Sequence, residues 1–384
     1  MILHVLAALP LCIWAYLLFV RAAFWRVSSS ASLPPVSPPP QRGISVVAVI
    51  PARDEALVIG DTVRSLLCQD FGGSLHIIVV DDGSTDGTAD AARQAAVALH
   101  ADDRLTLVRG LPLAAGWTGK LWAMNQGVIA AMPRLPDYLL LTDADIHHEP
   151  ANVASLVATA EADGCELVSS MVQLPVETLA EKSLIPAFVF FFFMLYPPRA
   201  VASDHSRVAA AAGGCMLARA QALMRIGGLQ SIRAELIDDC ALARAIKSTG
   251  GAIRLGLTRL AHSTRQYGSF GEVGRMISRS AFYQLHHSWG LLLLTILGLS
   301  VTYLLPPLLV FTGDPLTMML GAAAWLLMSV SYAPMIRFYR RSPLWSVCLP
   351  AIASFYALAT VHSALQYLLR RGGHWKGRVQ DVRT

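Results

Sequence analysis

VVAVIPARDEA (residues 46–56) and IIVVDDGSTDGT (residues 77–88) share one pattern: a β-branched apolar run, an abrupt acidic turn, then a helix-forming stretch. Runs of this kind cover Ile44–Ile50, His76–Val80, Leu105–Val108, Tyr138–Leu141 and Leu167–Ser170. Between them, Ala56–Cys68, Thr88–Leu99, Gly119–Ala131 and Ala151–Asp163 have the length and period of crossover helices. The alternation predicts an α/β domain around a mostly parallel, Rossmann-like sheet. In such sheets ligands bind outside the carboxyl ends of the strands, so chemistry is to be sought in the residues that follow each run. These are Pro51-Ala52-Arg53-Asp54-Glu55, the acidic turn from Asp81, and Asp143-Ala144-Asp145.

Taken singly, each has an ordinary explanation: Asp86 or Thr88 can cap a helix, and Asp and Gly dominate turns. Gathered at one sheet edge, the carboxylates repel one another unless a cation compensates. A hard divalent ion held by one or two carboxylates and phosphate oxygens meets that need.

With LLLTDAD (residues 139–145) added, the three motifs in this order resemble the nucleotide-sugar-binding half of a family 2 glycosyltransferase with a GT-A fold, over Ile44 to about Leu285. The resemblance implies that Pro51, Arg53, Glu55, Asp81 and Asp82 hold the donor nucleoside. It implies that Asp143 and Asp145 carry Mg²⁺ or Mn²⁺ on the donor diphosphate, with Asp145 the preferred ligand. His147 and His148 follow closely, either as an added imidazole ligand or as solvated loop residues. Gly116-Trp117-Thr118-Gly119-Lys120 opens a helix. An ammonium at a helix N-terminus suits an anion, and the family places a similar element on the donor. The alternative is a helix-start turn with a solvated lysine.

Further on, Gly213-Gly214-Cys215-Met216-Leu217 and Ile226-Gly227-Gly228-Leu229 resemble the glycine-rich acceptor-side segment. The pair Asp238-Asp239 at a helix start matches the carboxylate pair whose last member is the family's general base, here Asp239; a pair of dipole-stabilising caps is the other reading. The Q-x-x-R-W element is imperfect: Arg279 takes the arginine position, Met276 the glutamine and Ser280 the tryptophan. Its loss favours a single transfer over processive synthesis, and leaves Arg275 and Arg279 open to a diphosphate or a membrane surface.

The rest of the 384-residue chain points to a membrane. Charged residues make up 15% of it and hydrophobic ones 54%, against roughly 25% charged in typical soluble domains. The net charge of +5 lies beside apolar runs rather than in a nucleic-acid-binding module, so no nucleic acid is expected. Six scattered cysteines form no metal or disulfide pattern. Ile2–Val20, followed by Arg21 and Arg26, reads as an uncleaved anchor within residues 1–27. Residues 28–43 read as a Pro/Ser-rich linker, 44–285 as the catalytic domain, 286–370 as C-terminal membrane segments and 371–384 as a basic tail. Gly290–Phe311 and Leu320–Ile336 are spans, whereas Leu344–Leu369 either spans or re-enters. The positive-inside bias puts the catalytic domain in the cytoplasm, at the inner membrane.

Within the catalytic half, residues 184–198 with their phenylalanine run read either as a buried core helix or as an interfacial insert facing lipid. The layout as a whole resembles the hopene-associated glycosyltransferases of bacteria, implying a nucleotide-sugar donor, with UDP favoured, and a hopanoid or other polyisoprenoid lipid acceptor. A polyprenyl-phosphate sugar synthase and a non-catalytic membrane scaffold are the competing readings.

Overall fold

The elements follow in the order α1 (Ile2–Phe19), β1 (Ser45–Ala52), α2 (Ile59–Leu67), β2 (Ser74–Asp81), α3 (Thr88–Val97), β3 (Leu105–Arg109), α4 (Gly119–Ala131), β4 (Tyr138–Thr142) and β5 (Ile146–His148). They continue with α5 (Asn152–Ala162), β6 (Leu167–Gln173), α6 (Leu179–Leu195), α7 (Pro198–Ala202), β7 (Cys215–Arg219), α8 (Ala220–Arg225), α9 (Asp238–Ser248) and β8 (Ile253–Ser263). Last come α10 (Phe270–Ser278), α11 (Ala281–Gln284), α12 (Trp289–Leu299), α13 (Leu305–Leu309), α14 (Pro315–Phe338) and α15 (Leu349–Leu368). This computed structural model describes residues 2–27 and 43–369, with the backbone of 374–375 and 378–379. The linker and most of the basic tail lie outside the described residues.

The chain divides into a sheet unit, described from Gly43 to Pro175 and from Ala200 to Gln266, and a helical unit that takes the N-terminal helix, Val176–Arg199 and everything from Tyr267 to Leu369. The sheet unit ends at Gln266, and α10 and α11, which the expected domain over 44–285 would include, pack with the helices that follow them.

In the sheet unit eight strands are ordered β3-β2-β1-β4-β7-β6-β8-β5. The expected parallel half is present, β1 lying between β2 and β4 with β3 outside β2. The sheet as a whole is mixed, since β7 runs antiparallel to both β4 and β6, and β5 antiparallel to β8. Strands β1 and β2 also run one residue or more past the apolar runs, so Pro51 and Asp81 are strand residues paired to Val80 and Ala52. Pairing of β1 with β4 stops at Val49, which leaves Pro51, lacking an N–H, where that ladder has already opened. Helix α4 lies directly on this half of the sheet. A Cβ on Gly127 would sit 2.4 Å from Val49 Cγ1 and 2.9 Å from Val80 Cγ2, so only glycine permits the approach.

Among the described residues, the helical unit contains three helical stretches long and apolar enough to cross a membrane: Trp289–Leu309, Pro315–Phe338 and Pro343–Leu368. The last is helical throughout, with no re-entrant turn. Helix α1 is shorter than the anchor expected over Ile2–Val20; left-handed backbone at Ala22 and Ala23 (φ 49° and 50°) turns the chain soon after Phe19. Arg21 then donates to the carbonyls of Met194 and Leu195 (3.2 and 3.1 Å), capping the C-terminal end of α6. His4 Nε2 meets Asp314 Oδ2 at 3.0 Å, and Trp14 Nε1 donates to Thr302 O at 2.8 Å.

The phenylalanine run belongs to α6 and packs inside this unit. Phe190 and Phe193 are buried. Phe190 meets Phe24 and Tyr332 with ring centroids 5.3 and 5.0 Å apart, and Phe191 meets Tyr303 and Tyr356 at 5.6 and 4.8 Å. Residues 184–195 thus form a helix whose buried rings are covered by partners from distant segments, Phe24 and the candidate membrane-crossing helices.

Its start is fixed by a capping box. Glu181, fully buried, accepts from the backbone N–H groups of Glu177, Thr178 and Tyr267, while Thr178 accepts from Glu181 N. Burial alone would raise this carboxyl, but the backbone N–H bonds hold it below its ordinary value. Glu181→Ala leaves three donors without this acceptor. At about 1–3 kcal/mol for each left buried, thermal unfolding in detergent should start several degrees lower. Since the folded-state pKa is depressed, the Glu181 contribution is fully present above the unfolded value. It is lost as pH falls through the folded one, so wild type and variant should converge in acid.

Candidate active site

The acidic turns after β1 and β2 are sewn together. Asp54 N donates to Ser84 Oγ (3.0 Å), Thr85 N to Asp54 Oδ1 (2.9 Å), Glu55 N to Thr88 Oγ1 (2.8 Å) and Ala56 N to Asp86 Oδ2 (2.9 Å). Asp54, Ser84, Asp86 and Thr88 are thus the framework of the double turn, and left-handed Gly83 and Gly87 (φ 70° and 89°) let it close. Within that frame Asp82 is buried and faces Arg53, whose Nη1 lies 3.8 Å from Asp82 Oδ2 and donates to the Asp82 carbonyl. Asp81 Oδ1 accepts from Ser84 N at 2.9 Å, bracing the turn from the strand end.

Lys120 draws three distant motifs together. At the start of α4, its Nζ lies 2.8 Å from Asp143 Oδ1 at the end of β4, and 3.5 Å from Asp238 Oδ2 at the start of α9. Burial alone would lower its pKa, but the Asp143 and Asp238 carboxylates drive it well above the ordinary lysine value. It is an ammonium with carboxylate partners, not a solvated lysine. The loop before it is tied to the segment before α9, since Thr118 N donates to Arg233 O at 2.9 Å.

Asp239 is held by backbone: Gly213 N donates to its Oδ2 at 2.9 Å and Cys240 N to its Oδ1 at 2.7 Å. Burial, then the adjacent Asp238 charge, push its carboxyl up to about 6. By contrast, Asp238 Oδ2 is buried and makes no hydrogen bond among the described residues. Gly213 is as constrained as the carboxylates. A Cβ there would lie 3.3 Å from Asp239 Oδ2 and 3.4 Å from Lys120 Nζ. Gly213→Ala should therefore push these groups apart by a few tenths of an ångström and lower kcat on the order of ten-fold, with little change in Tm. Wild-type turnover would mean that the spacing is not critical.

Asp145 also sits among charges. Burial and then neighbouring Asp143 push its carboxyl up to about 6, against the pull of Arg265, whose Nε is 3.5 Å from Asp145 Oδ2. The Nη2 of Arg265 reaches Glu55 Oε1 at 3.2 Å, so one guanidinium bridges the β1 turn to the Asp143–Asp145 element. Arg265 follows β8 and was not anticipated from sequence. An isolated arginine more than a hundred residues from its partners has no local signature.

The two adjacent histidines part company. His148 is buried, with Nδ1 2.8 Å from Asn152 Nδ2 and Nε2 3.1 Å from Thr142 Oγ1, which itself donates to Gly214 O at 2.7 Å. This network assigns the Nε2–H tautomer, and burial takes the pKa down to about 3. His148 is a neutral core residue, not the loop ligand or solvated side chain that was expected. His147 faces outward and bonds Asp61 (2.7 Å). Arg279 caps the C-terminal end of α10 in the helical unit. Pro51, Arg53, Glu55, Asp81, Asp82, Lys120, Asp143, Asp145, Asp238 and Asp239 all belong to the sheet unit.

Residues 40–272 match the family described as glycosyltransferase-like family 2. Among curated proteins, an uncharacterized protein of Methanocaldococcus jannaschii is 31% identical over 122 residues, which is 32% of this chain and 44% of that protein's length. Among solved structures, the mannosyltransferase PcManGT of Pyrobaculum calidifontis, in complex with GDP-Man and Mn²⁺, superposes with a TM-score of 0.54 at 17% identity. It covers 94% of this chain and 99% of its own. Glucosyl-3-phosphoglycerate synthase of Mycobacterium tuberculosis, with Mg²⁺ and UDP, gives a TM-score of 0.40 at 20% identity, covering 64% of this chain and 79% of its own. The family match takes in well over half of the chain, including all three acidic strand ends and the Asp238-Asp239 helix start. This chain therefore belongs to glycosyltransferase-like family 2.

Proposed function

We propose that the chain moves a sugar from a nucleotide sugar, a UDP-sugar first among candidates, to a hydroxyl of a membrane lipid, with inversion at the sugar carbon. The observation that carries this reading is the convergence on Lys120 of Asp143 from one strand end and Asp238 from a helix start, with Asp239 next to it. Donor-side and acceptor-side acids then share one small region.

Arg53, Asp82 and Glu55 bind the nucleoside, and Asp81 braces their turn. Asp143 and Asp145 hold the divalent ion. Their fit to Mg²⁺ or Mn²⁺ rests on the carboxylate-only donor set and on the Asp145 carboxyl, raised by burial and then by neighbouring Asp143, whose ionised form a hard cation stabilises. Such an ion, when bound, stabilises the departing diphosphate as a Lewis acid. Asp239, ionised at neutral pH, takes the proton of the acceptor hydroxyl on the face opposite the leaving group. The lipid acceptor is supported by the three helices able to cross a membrane. A hopanoid is the specific candidate, and there the support is the sequence resemblance. The positive charges after α1 and after α14 support a catalytic unit on the cytoplasmic side of an inner membrane.

Calorimetry tests the donor site. UDP and GDP titrated into purified chain should bind with Mn²⁺ present and lose most affinity in EDTA, and Asp143→Asn should reproduce the loss. Equal affinity with and without the ion sinks the metal assignment.

A further inference from the structure

The antiparallel pair β5·β8 carries a group of side chains that sugar transfer does not use. His147 and His262 are directly opposite in register, and their rings stack with centroids 4.7 Å apart and planes 25° from parallel. The ladder continues past β5, because Glu149 N donates to Leu260 O at 2.8 Å. Alternation along the strand then puts Glu149 on the face of His147, while Ile146, His148, Ala261 and Ser263 point into the core. Glu149 Oε1 lies 3.8 Å from His262 Nδ1. One ligand atom from each of His147, Glu149 and His262 falls within 4.8 Å of the other two. All three side chains are partly exposed, so an ion has access.

We propose that His147, Glu149 and His262 form a transition-metal site of the Zn²⁺ class, separate from the donor ion. Two imidazoles and a carboxylate match the ligand preference of Zn²⁺ and leave a position for water, whereas Mg²⁺ prefers oxygen ligands. The site carries its own orienting carboxylate. Asp61 Oδ2, 2.7 Å from His147 Nδ1, accepts that proton and leaves the Nε2 lone pair for a metal. A bound ion pins β5 to β8. Asp145 immediately precedes β5, its carbonyl accepts from Thr264 N at 2.8 Å, and Arg265 follows. The ion is thus a structural clip beside the donor acids, and the inference stands whether or not the proposed reaction is right.

Zn²⁺ titrated by calorimetry into chelator-stripped, full-length chain in detergent micelles, without nucleotide, tests it. The expected result is one Zn²⁺ more per chain than in His262→Ala or His147→Gln, and an unchanged stoichiometry in Asp143→Asn. Asp61→Asn should weaken the affinity about 10–100-fold, the usual cost of losing an orienting partner. Saturating Mg²⁺ should not compete. The proposal is overturned if both histidine variants, shown to be folded by their Tm without metal, bind Zn²⁺ as wild type does. It is equally overturned if Asp143→Asn loses the ion too, because the zinc would then be occupying the donor site.

Discussion

Asp239→Asn should lower kcat by at least ~10²-fold while leaving nucleotide binding intact, because an amide cannot take the acceptor proton. The structure adds a complication and a control. Both oxygens of Asp239 accept backbone N–H bonds, so the amide group of Asn must turn one donor toward another, and Tm is to be measured alongside rate. Asp238→Asn should cost far less, its Oδ2 having no such bonds to lose. Reversed severity would make Asp238 the base. The pH profile gives an independent reading. With Asp239 pushed up to about 6, kcat/KM should be level near neutrality and fall as pH drops through about 6, where the base becomes protonated. A rate that stays level down to pH 5 removes Asp239 from the role.

Lys120→Met should lower stability as well as activity. It takes the Lys120 ammonium from between Asp143 and Asp238, leaving carboxylates in a partly buried region without this cation. Removing one partner of a buried pair costs about 3–5 kcal/mol. With Asp143 about one-third exposed, water recovers some of this, and the lower end is expected. For a unit of this size that is a fall on the order of 10 °C in Tm. Added Mn²⁺ should restore part of it by replacing the lost positive charge, and Lys120→Arg should keep more stability than activity. An unchanged Tm in Lys120→Met would mean that the acids are relieved in some other way.

The sheet's parallel half was legible because β-branched runs ending in acidic turns are local signals, and β1, β2 and β4 end within two residues of where those turns begin. Strands β7 and β8 were not. Cys215–Arg219 has no β-branched residue, Ile253–Ser263 is interrupted by Gly256, and the pairing that stabilises both is remote in sequence. The same distinction divides the site. Asp82, Asp143, Asp145 and Asp239 stand in motifs that can be read one segment at a time. Arg265 acquires its role only when β8 is brought against β5, and Gly213 only when α9 delivers Asp239 beside it. Thr178 and Glu181 had a readable capping-box spacing, yet the third donor, Tyr267 N, comes from 86 residues away. The phenylalanine run shows the limit of composition. Its apolarity is equally compatible with lipid and with protein, and the rings it meets, Phe24, Tyr332 and Tyr356, are remote in sequence.

The most direct measurement of the proposed reaction uses membranes from cells expressing the wild-type chain or Asp239→Asn, incubated with radiolabelled UDP- and GDP-sugars in turn, with Mn²⁺ or EDTA, then partitioned between water and organic solvent. The expected result is label in the organic phase from one donor, dependent on Mn²⁺ and absent with Asp239→Asn. Label that stays in the aqueous phase for every donor, or organic-phase label of equal size from wild type and Asp239→Asn, would contradict transfer to a lipid by this site.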